Sequence, residues 1–187
     1  MTGTTDFTRQ FLLAMPGTTG DEFAGTVIYV CEHSSQGALG LVLNRPMKLT
    51  VGELLEKIDI PVENQDLGRT PVYFGGPVQA DRGFVLHRPV MSYNSSLHLD
   101  GDIGLTTSRD VLENLGKGTG PSDLLVALGY AGWGAGQLEQ EMAQNVWLSV
   151  PADEEIIFNL PPEERYPTAM RLLGFDPAML TGEVGHA

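Results

Sequence analysis

Twenty-three glycines and 12 prolines punctuate these 187 residues. That density constrains the fold more than any other feature, because glycine and proline end helices and strands and populate turns. The pattern predicts many short elements joined by turns. Apolar residues make up 42% of the chain, enough for a packed core. A chain of this length buries roughly 70% of its unfolded surface without a disulfide or metal. No Ser/Gly linker or internal repeat divides it, so a single domain over 1–187 is expected, with 1–10 and 175–187 peripheral and loosely ordered.

Between the punctuation marks, apolar runs read as strands. Phe11 to Met15 is a buried strand. Gly25 to His33 is β-branched and aromatic, and strict alternation puts Val27, Tyr29, Cys31 and His33 on one face. Ser34 to Gly37 turns the chain into Ala38 to Leu43, and Pro46 ends that run. Thr50 with Glu53 is a capping box opening a helix over about 51–58, followed by a polar connection over 61–70. Val72 to Phe74 is a strand, Asp81-Arg82-Gly83 a turn, and Phe84 to Arg88 a strand. Asp100-Gly101 between two apolar triplets predicts a hairpin. A helix capped by Thr106, Thr107 or Ser108 runs to a stop at Gly116. A central strand over Leu124 to Gly129, a glycine turn, a helix over 134–145, a strand at 146–150 and helices at 154–159 and 161–173 complete the pattern.

The formal charge is −13 and no run of Lys or Arg occurs. Counterion displacement from phosphates requires a basic face, so direct nucleic-acid binding is disfavoured. The one cysteine, Cys31, excludes an internal disulfide and fits a reducing, cytoplasmic compartment. The apolar stretch before Pro16 is too short for a signal peptide, and Leu124 to Gly136 is broken by glycines, so no membrane association is expected. Known catalytic and metal motifs are absent: no G-x-S-x-G, no H-E-x-x-H, no phosphate-loop lysine, no calcium loop. No cofactor is expected.

Three segments could still bind something. Asn44-Arg45 before Pro46 could clamp a carboxylate or phosphate. Gly75-Gly76-Pro77 could let a ligand approach the backbone. Gly132-Trp133-Gly134 with Gly136, between strand and helix, could present N–H groups to an anion. Each has a plainer reading as a turn or a salt bridge, and these are preferred. Cys31 with His33 could form a thiol–imidazole pair, but no third group or zinc spacing accompanies them.

The runs Phe11 to Pro16, Val27 to His33, Ala38 to Pro46, Val72 to Val78, Leu105-Thr106-Thr107-Ser108 and Gly129 to Glu139 occur in an order and spacing that resemble the YqgE/AlgH family of bacterial proteins. The resemblance implies an α+β fold with a bifurcated, partly barrel-like mixed β-sheet flanked by helices. It implies a cytosolic protein but no reaction; one branch of the family is named as a transcriptional regulator. The chain is therefore expected to be a non-enzymatic binding or regulatory protein, with a possible pocket for a small anionic ligand. A protein-interaction or assembly component, using Trp133 and Tyr130, is the alternative. An enzyme acting on a small phosphorylated or carboxylated metabolite is the third reading.

Overall fold

The computed structural model describes residues 6–15, 23–99 and 102–174. In chain order the strands are β1 (Gln10–Ala14), β2 (Val27–Ser34), β3 (Gly37–Val42), β4 (Pro46–Thr50), β5 (Pro71–Phe74), β6 (Val78–Arg88), β7 (Ser96–His98), β8 (Gly104–Thr106), β9 (Asp123–Trp133) and β10 (Trp147–Pro151). The helices are α1 (Val51–Lys57), α2 (Gln65–Gly68), α3 (Arg109–Lys117), α4 (Gln137–Ala143), α5 (Glu154–Phe158) and α6 (Pro162–Leu172). The class is α+β, with a mixed sheet. The chain forms two compact units: Met1–Arg45 with Ala131–Ala187, and Pro46–Tyr130. Strand β9 contributes to both units: Ala131–Trp133 pair with β3 in the first, and its earlier residues pair with β5 and β6 in the second.

In the first unit the order is β10-β1-β2-β3-β9, antiparallel throughout. β1 is buried on both faces, which is why Phe11, Leu12 and Leu13 form a continuous apolar run rather than an alternation. Leu12, Ala14, Ile28, Val30, Val42, Trp133, Leu138 and Trp147 make up one core cluster. α4 packs on β3 and β10, and α6 on β1 and β2. From α6, the buried Arg165 reaches back to donate to the Leu43 carbonyl, and Tyr166 Oη donates to the Ala14 carbonyl at 2.7 Å.

In the second unit the order is β4-β5-β9-β6-β8-β7, with β5 and β9 parallel and the other pairs antiparallel. Its core gathers Val51, Leu55, Ile60, Val72, Val85, Val111, Leu115 and Val126. Val111 and Leu115, one helical turn apart, are the buried edge of α3. The capping box at Thr50 is formed in both directions.

Several expectations need correction. The run from Ala38 does end before Pro46, at Val42, but Pro46 itself opens a further strand; at a first strand position its missing N–H costs no ladder bond. The connection over 61–70 contains α2, capped by Asn64 Oδ1. Asp81-Arg82-Gly83 is no turn: β6 runs through it, with a register shift against β9 between Val78 and Gly83 absorbing the irregularity. Gly116 does not stop α3. A Cβ there would stand 2.4 Å from the Pro61 carbonyl, so this glycine permits close packing, and Gly118, at φ +77°, is the cap. β9 continues past Gly129 to Trp133, so the turn into α4 is confined to Gly134–Gly136. The hairpin expected at Asp100-Gly101 lies outside the described residues, although β7 and β8 on either side do pair.

Candidate functional site

The segments singled out in the sequence are occupied in local structure. Asn44 Oδ1 accepts from the Val27 N–H at 3.0 Å and its Nδ2 donates to the Gly25 carbonyl at 2.9 Å. Arg45 Nη2 donates to the Ala24 carbonyl at 2.7 Å. Both side chains thus hold the turn that leads into β2. Gly132 and Trp133 pair with Leu39 and Ala38 at the start of β3, whereas Asn44 follows its end. Six extended residues separate Ala38 from Asn44, on the order of 20 Å. Asn44-Arg45 and Gly132–Gly136 therefore do not close around one pocket.

The glycine turn is likewise self-satisfied. The Gly134 N–H donates to Gln137 Oε1 at 2.9 Å, and Gly136, at φ +75°, is the N-cap residue of α4. In the second unit Gly75 and Gly76 lie against Gly129. A Cβ on Gly75 would fall 2.3 Å from the Gly129 carbonyl oxygen, and one on Gly129 2.2 Å from that of Gly76. These glycines let two backbones touch, with no room left for a ligand between them. Pro77 is exposed beyond that contact. The two glycine segments serve backbone turns and close approaches, while Arg45 bonds a backbone carbonyl in place of the expected salt bridge.

Trp133 is not an exposed anchor. It is 8% exposed, in edge contact with Trp147, and both indole N–H groups donate to Glu141 Oε1, at 3.0 and 2.8 Å. Gln137 Nε2 donates to Glu141 Oε2 at 2.9 Å. One carboxylate from α4 fixes the orientation of both rings, which removes Trp133 as a docking side chain.

Cys31 and His33 are also rearranged. The β2–β3 register skips from Val30↔Gly40 to Glu32↔Leu39, so Cys31 is the extra residue of a β-bulge. The bulge reverses the alternation after it. His33 stands opposite Ala38, which packs on the Val30 side of the sheet, and does not share a face with Val27 and Tyr29. Cys31 is fully buried, and burial pushes its thiol far above the ordinary range, which suppresses the thiolate that nucleophilic chemistry requires. His33 Nδ1 accepts from the Phe7 N–H at 3.0 Å, which assigns the ring proton to Nε2, 3.2 Å from Glu139 Oε2. The thiol–imidazole pair is not formed.

A candidate groove that sequence reasoning missed lies in the second unit. α1 and α2 flank an open groove of about 450 Å³, within the size range of small-molecule sites. Gly52 makes the approach of the helices possible, since a Cβ there would stand 2.8 Å from the Gly68 carbonyl oxygen. Ile60, Pro61 and Val62 supply an apolar wall, α1 supplies Glu53 and Glu56, and Arg69 stands at the end of α2. Hydrogen bonds from the Thr50 N–H and hydroxyl hold Glu53 below the usual carboxylate range. Arg69 Nη1 is 3.9 Å from Asp66, both exposed, a pair of little energetic worth. The signal in the sequence was faint: an Asn64 cap inside a polar stretch and two glycines 16 residues apart.

Among the described residues no three His, Cys, Asp or Glu side chains group to hold a metal ion, and no helix is long and apolar enough to cross a membrane.

The profile of the family described as AlgH-like matches residues 11–178. The chain belongs to the AlgH-like family. A UPF0301 protein of Bordetella avium is 64% identical over 183 residues, covering 98% of this chain and 92% of that protein. One from Bordetella petrii is 61% identical, with 98% and 90% covered. Among solved structures, the solution structure of the AlgH protein from Pseudomonas aeruginosa superposes with a TM-score of 0.81 at 48% identity, over 100% of this chain and 99% of that one. A Corynebacterium diphtheriae protein, at 20% identity and TM-score 0.71, shares the fold. The AlgH-like fold is therefore well supported, and the relatives' names carry no reaction.

Proposed function

We propose that this AlgH-like chain is a cytoplasmic, non-enzymatic binding or regulatory protein whose ligand occupies the α1–α2 groove. The observation that carries the reading is the groove's construction: a Gly52–Gly68 contact that shapes it, an apolar wall at Ile60–Val62 and two carboxylates from one helix face. Such a lining suits a small molecule with an apolar body and a cationic or N–H donor head. Glu53 and Glu56 oppose a free anion there, and Arg69 offers the only basic side chain of the lining. The anionic ligand expected from the sequence thus gives way to one that meets carboxylates.

Thermal-shift screening of small amines and small carboxylates, followed by amide chemical-shift mapping, tests this. A ligand at 100 times its dissociation constant stabilises by about 2.7 kcal/mol. An amine should be the stabilising class, its shifts should cluster on Gly52–Glu56 and Ile60–Arg69, and Glu56→Lys should abolish binding. Shifts centred on Arg45 or Gly134 with a carboxylate ligand would overturn the groove and reinstate an anion site.

A further inference from the structure

The Leu105-Thr106-Thr107-Ser108 step, noted in the sequence only as part of a family pattern, is the centre of a polar network in the second unit. His87 has no exposed surface. It stands opposite Gly104 across the β6–β8 ladder, and a Cβ on Gly104 would come within 2.7 Å of its imidazole. The glycine thus makes the space the ring occupies. From there the ring reaches diagonally to Thr106, two residues along β8 on the same face. Thr106 is fully buried too, and directly opposite it on β7 stands Ser96, on a strand whose three residues are all exposed.

The donors and acceptors fix a direction. His87 Nδ1 is 3.0 Å from the Pro89 carbonyl, which can only accept, so Nδ1 carries the proton and Nε2 presents a lone pair. Thr106 Oγ1, 2.7 Å from Nε2, must then donate to it. With its proton committed, Thr106 Oγ1 accepts from Ser96 Oγ at 2.6 Å. The chain runs Ser96 O–H to Thr106 O–H to His87, leaving lone pairs of Ser96 Oγ for solvent. Neighbouring hydroxyls form closed contacts instead. Ser95 Oγ meets Thr107 Oγ1 at 2.8 Å, and Ser108 Oγ donates to Asp110, which also accepts from the Asn94 N–H at 2.7 Å.

We propose that Ser96 is a reactive hydroxyl that takes an acyl group from an activated ester, with Thr106 and His87 relaying its proton. Ser96 Oγ bonds to the acyl carbon as its proton passes to Thr106 Oγ1, and the Thr106 proton passes to His87 Nε2. Collapse breaks the bond to the leaving oxygen. The leaving oxygen departs as its stable anion, as p-nitrophenolate does, and the proton left on His87 Nε2 is given up as the ring returns to neutral, so that the net products are an O-acylated Ser96, the leaving anion and one proton. Thr106 sits closer to the base but is inaccessible, so Ser96 is the position a donor can reach. Thr106 and His87 are positioning and relay residues. This site is separate from the α1–α2 groove, and neither reading depends on the other.

The test treats the intact protein with p-nitrophenyl acetate and maps adducts by peptide mass spectrometry. The expected result is acetylation concentrated on Ser96, at least about 100-fold faster than on the neighbouring Ser95, the scale of general base assistance. The rate should fall as pH drops and His87 takes a proton. Thr106→Val should remove the excess rate and Thr106→Ser restore it. Should Thr106→Val fail to fold, the wild-type map and its pH profile decide alone. Acetylation of Ser96 no faster than Ser95, or a rate tracking hydroxide alone, would overturn the proposal.

Discussion

The two units bury polar groups in opposite ways. In the first, the described polar side chains Arg165, Tyr166 and Glu141 end on backbone or side-chain partners inside the unit. Arg165 ends on the Leu43 carbonyl, Tyr166 on that of Ala14, and Glu141 on two indoles. These are closed contacts across long sequence separations, and they lock the fold. In the second, His87 starts a line of hydroxyls that leaves the core and stops at an exposed serine. Closed contacts give rigidity, whereas an open line couples the interior to whatever touches the surface. The difference teaches that satisfying a buried group and exposing chemistry are compatible when the last donor lies on an edge strand.

The contrast can be broken at its glycines first. Gly129→Ala should cost roughly 3 kcal/mol, from a carbonyl contact with no room to relax and a positive φ. Gly134→Ala, with only Gln137 Oε1 nearby at 3.9 Å, should change stability by less than about 0.5 kcal/mol. Urea unfolding followed by far-ultraviolet circular dichroism compares them. Equal losses would show that the two glycine positions are not built differently.

Next, Arg165→Met should destabilise by about 2 kcal/mol, because the Leu43 and Leu160 carbonyls lose their donor inside the first unit. Both tryptophans of the chain lie in that unit, so the loss should be visible in tryptophan fluorescence. An unchanged unfolding midpoint would mean that the closed contacts are dispensable.

The smallest effect concerns acid. Burial holds His87 below the ordinary imidazole value, against the opposing pull of its bond to Pro89. The unfolded chain therefore binds the proton more readily. The stability held by neutral His87 is complete above about pH 6.5 and declines as pH falls from there toward the folded value. His87→Gln should flatten that segment of the stability–pH curve while leaving in place the separate loss that sets in below about pH 4, as pH falls from the ordinary carboxylate value toward the lowered folded values of Asp6 and Asp110. Asp110 is held below the usual range because its hydrogen bonds outweigh the raising effect of burial, and Asp6 chiefly by Thr8.

Much of this was legible in the sequence. The Thr50–Glu53 capping box, the buried run at Phe11–Leu13 and the short elements between glycines follow from local chemistry, and the order of motifs pointed to the family fold. The candidate site was not legible. Whether Gly75, Gly116 and Gly129 serve a turn, a stop or a close approach depends on which backbone lies opposite, a long-range fact. The bulge at Cys31 erased an alternation that looked regular, because an extra residue leaves no local mark. His87, Thr106 and Ser96 come from three strands, and only the register brings them into line.

The bulge has one further consequence, for handling the protein. Cys31 is the single cysteine and is sealed in the interior. Maleimides and mild oxidants should pass over the native chain, so that a cysteine introduced at the exposed Gln65 on the groove's rim would be the one thiol they find. The groove can then carry a single fluorophore or spin label on an otherwise unaltered background.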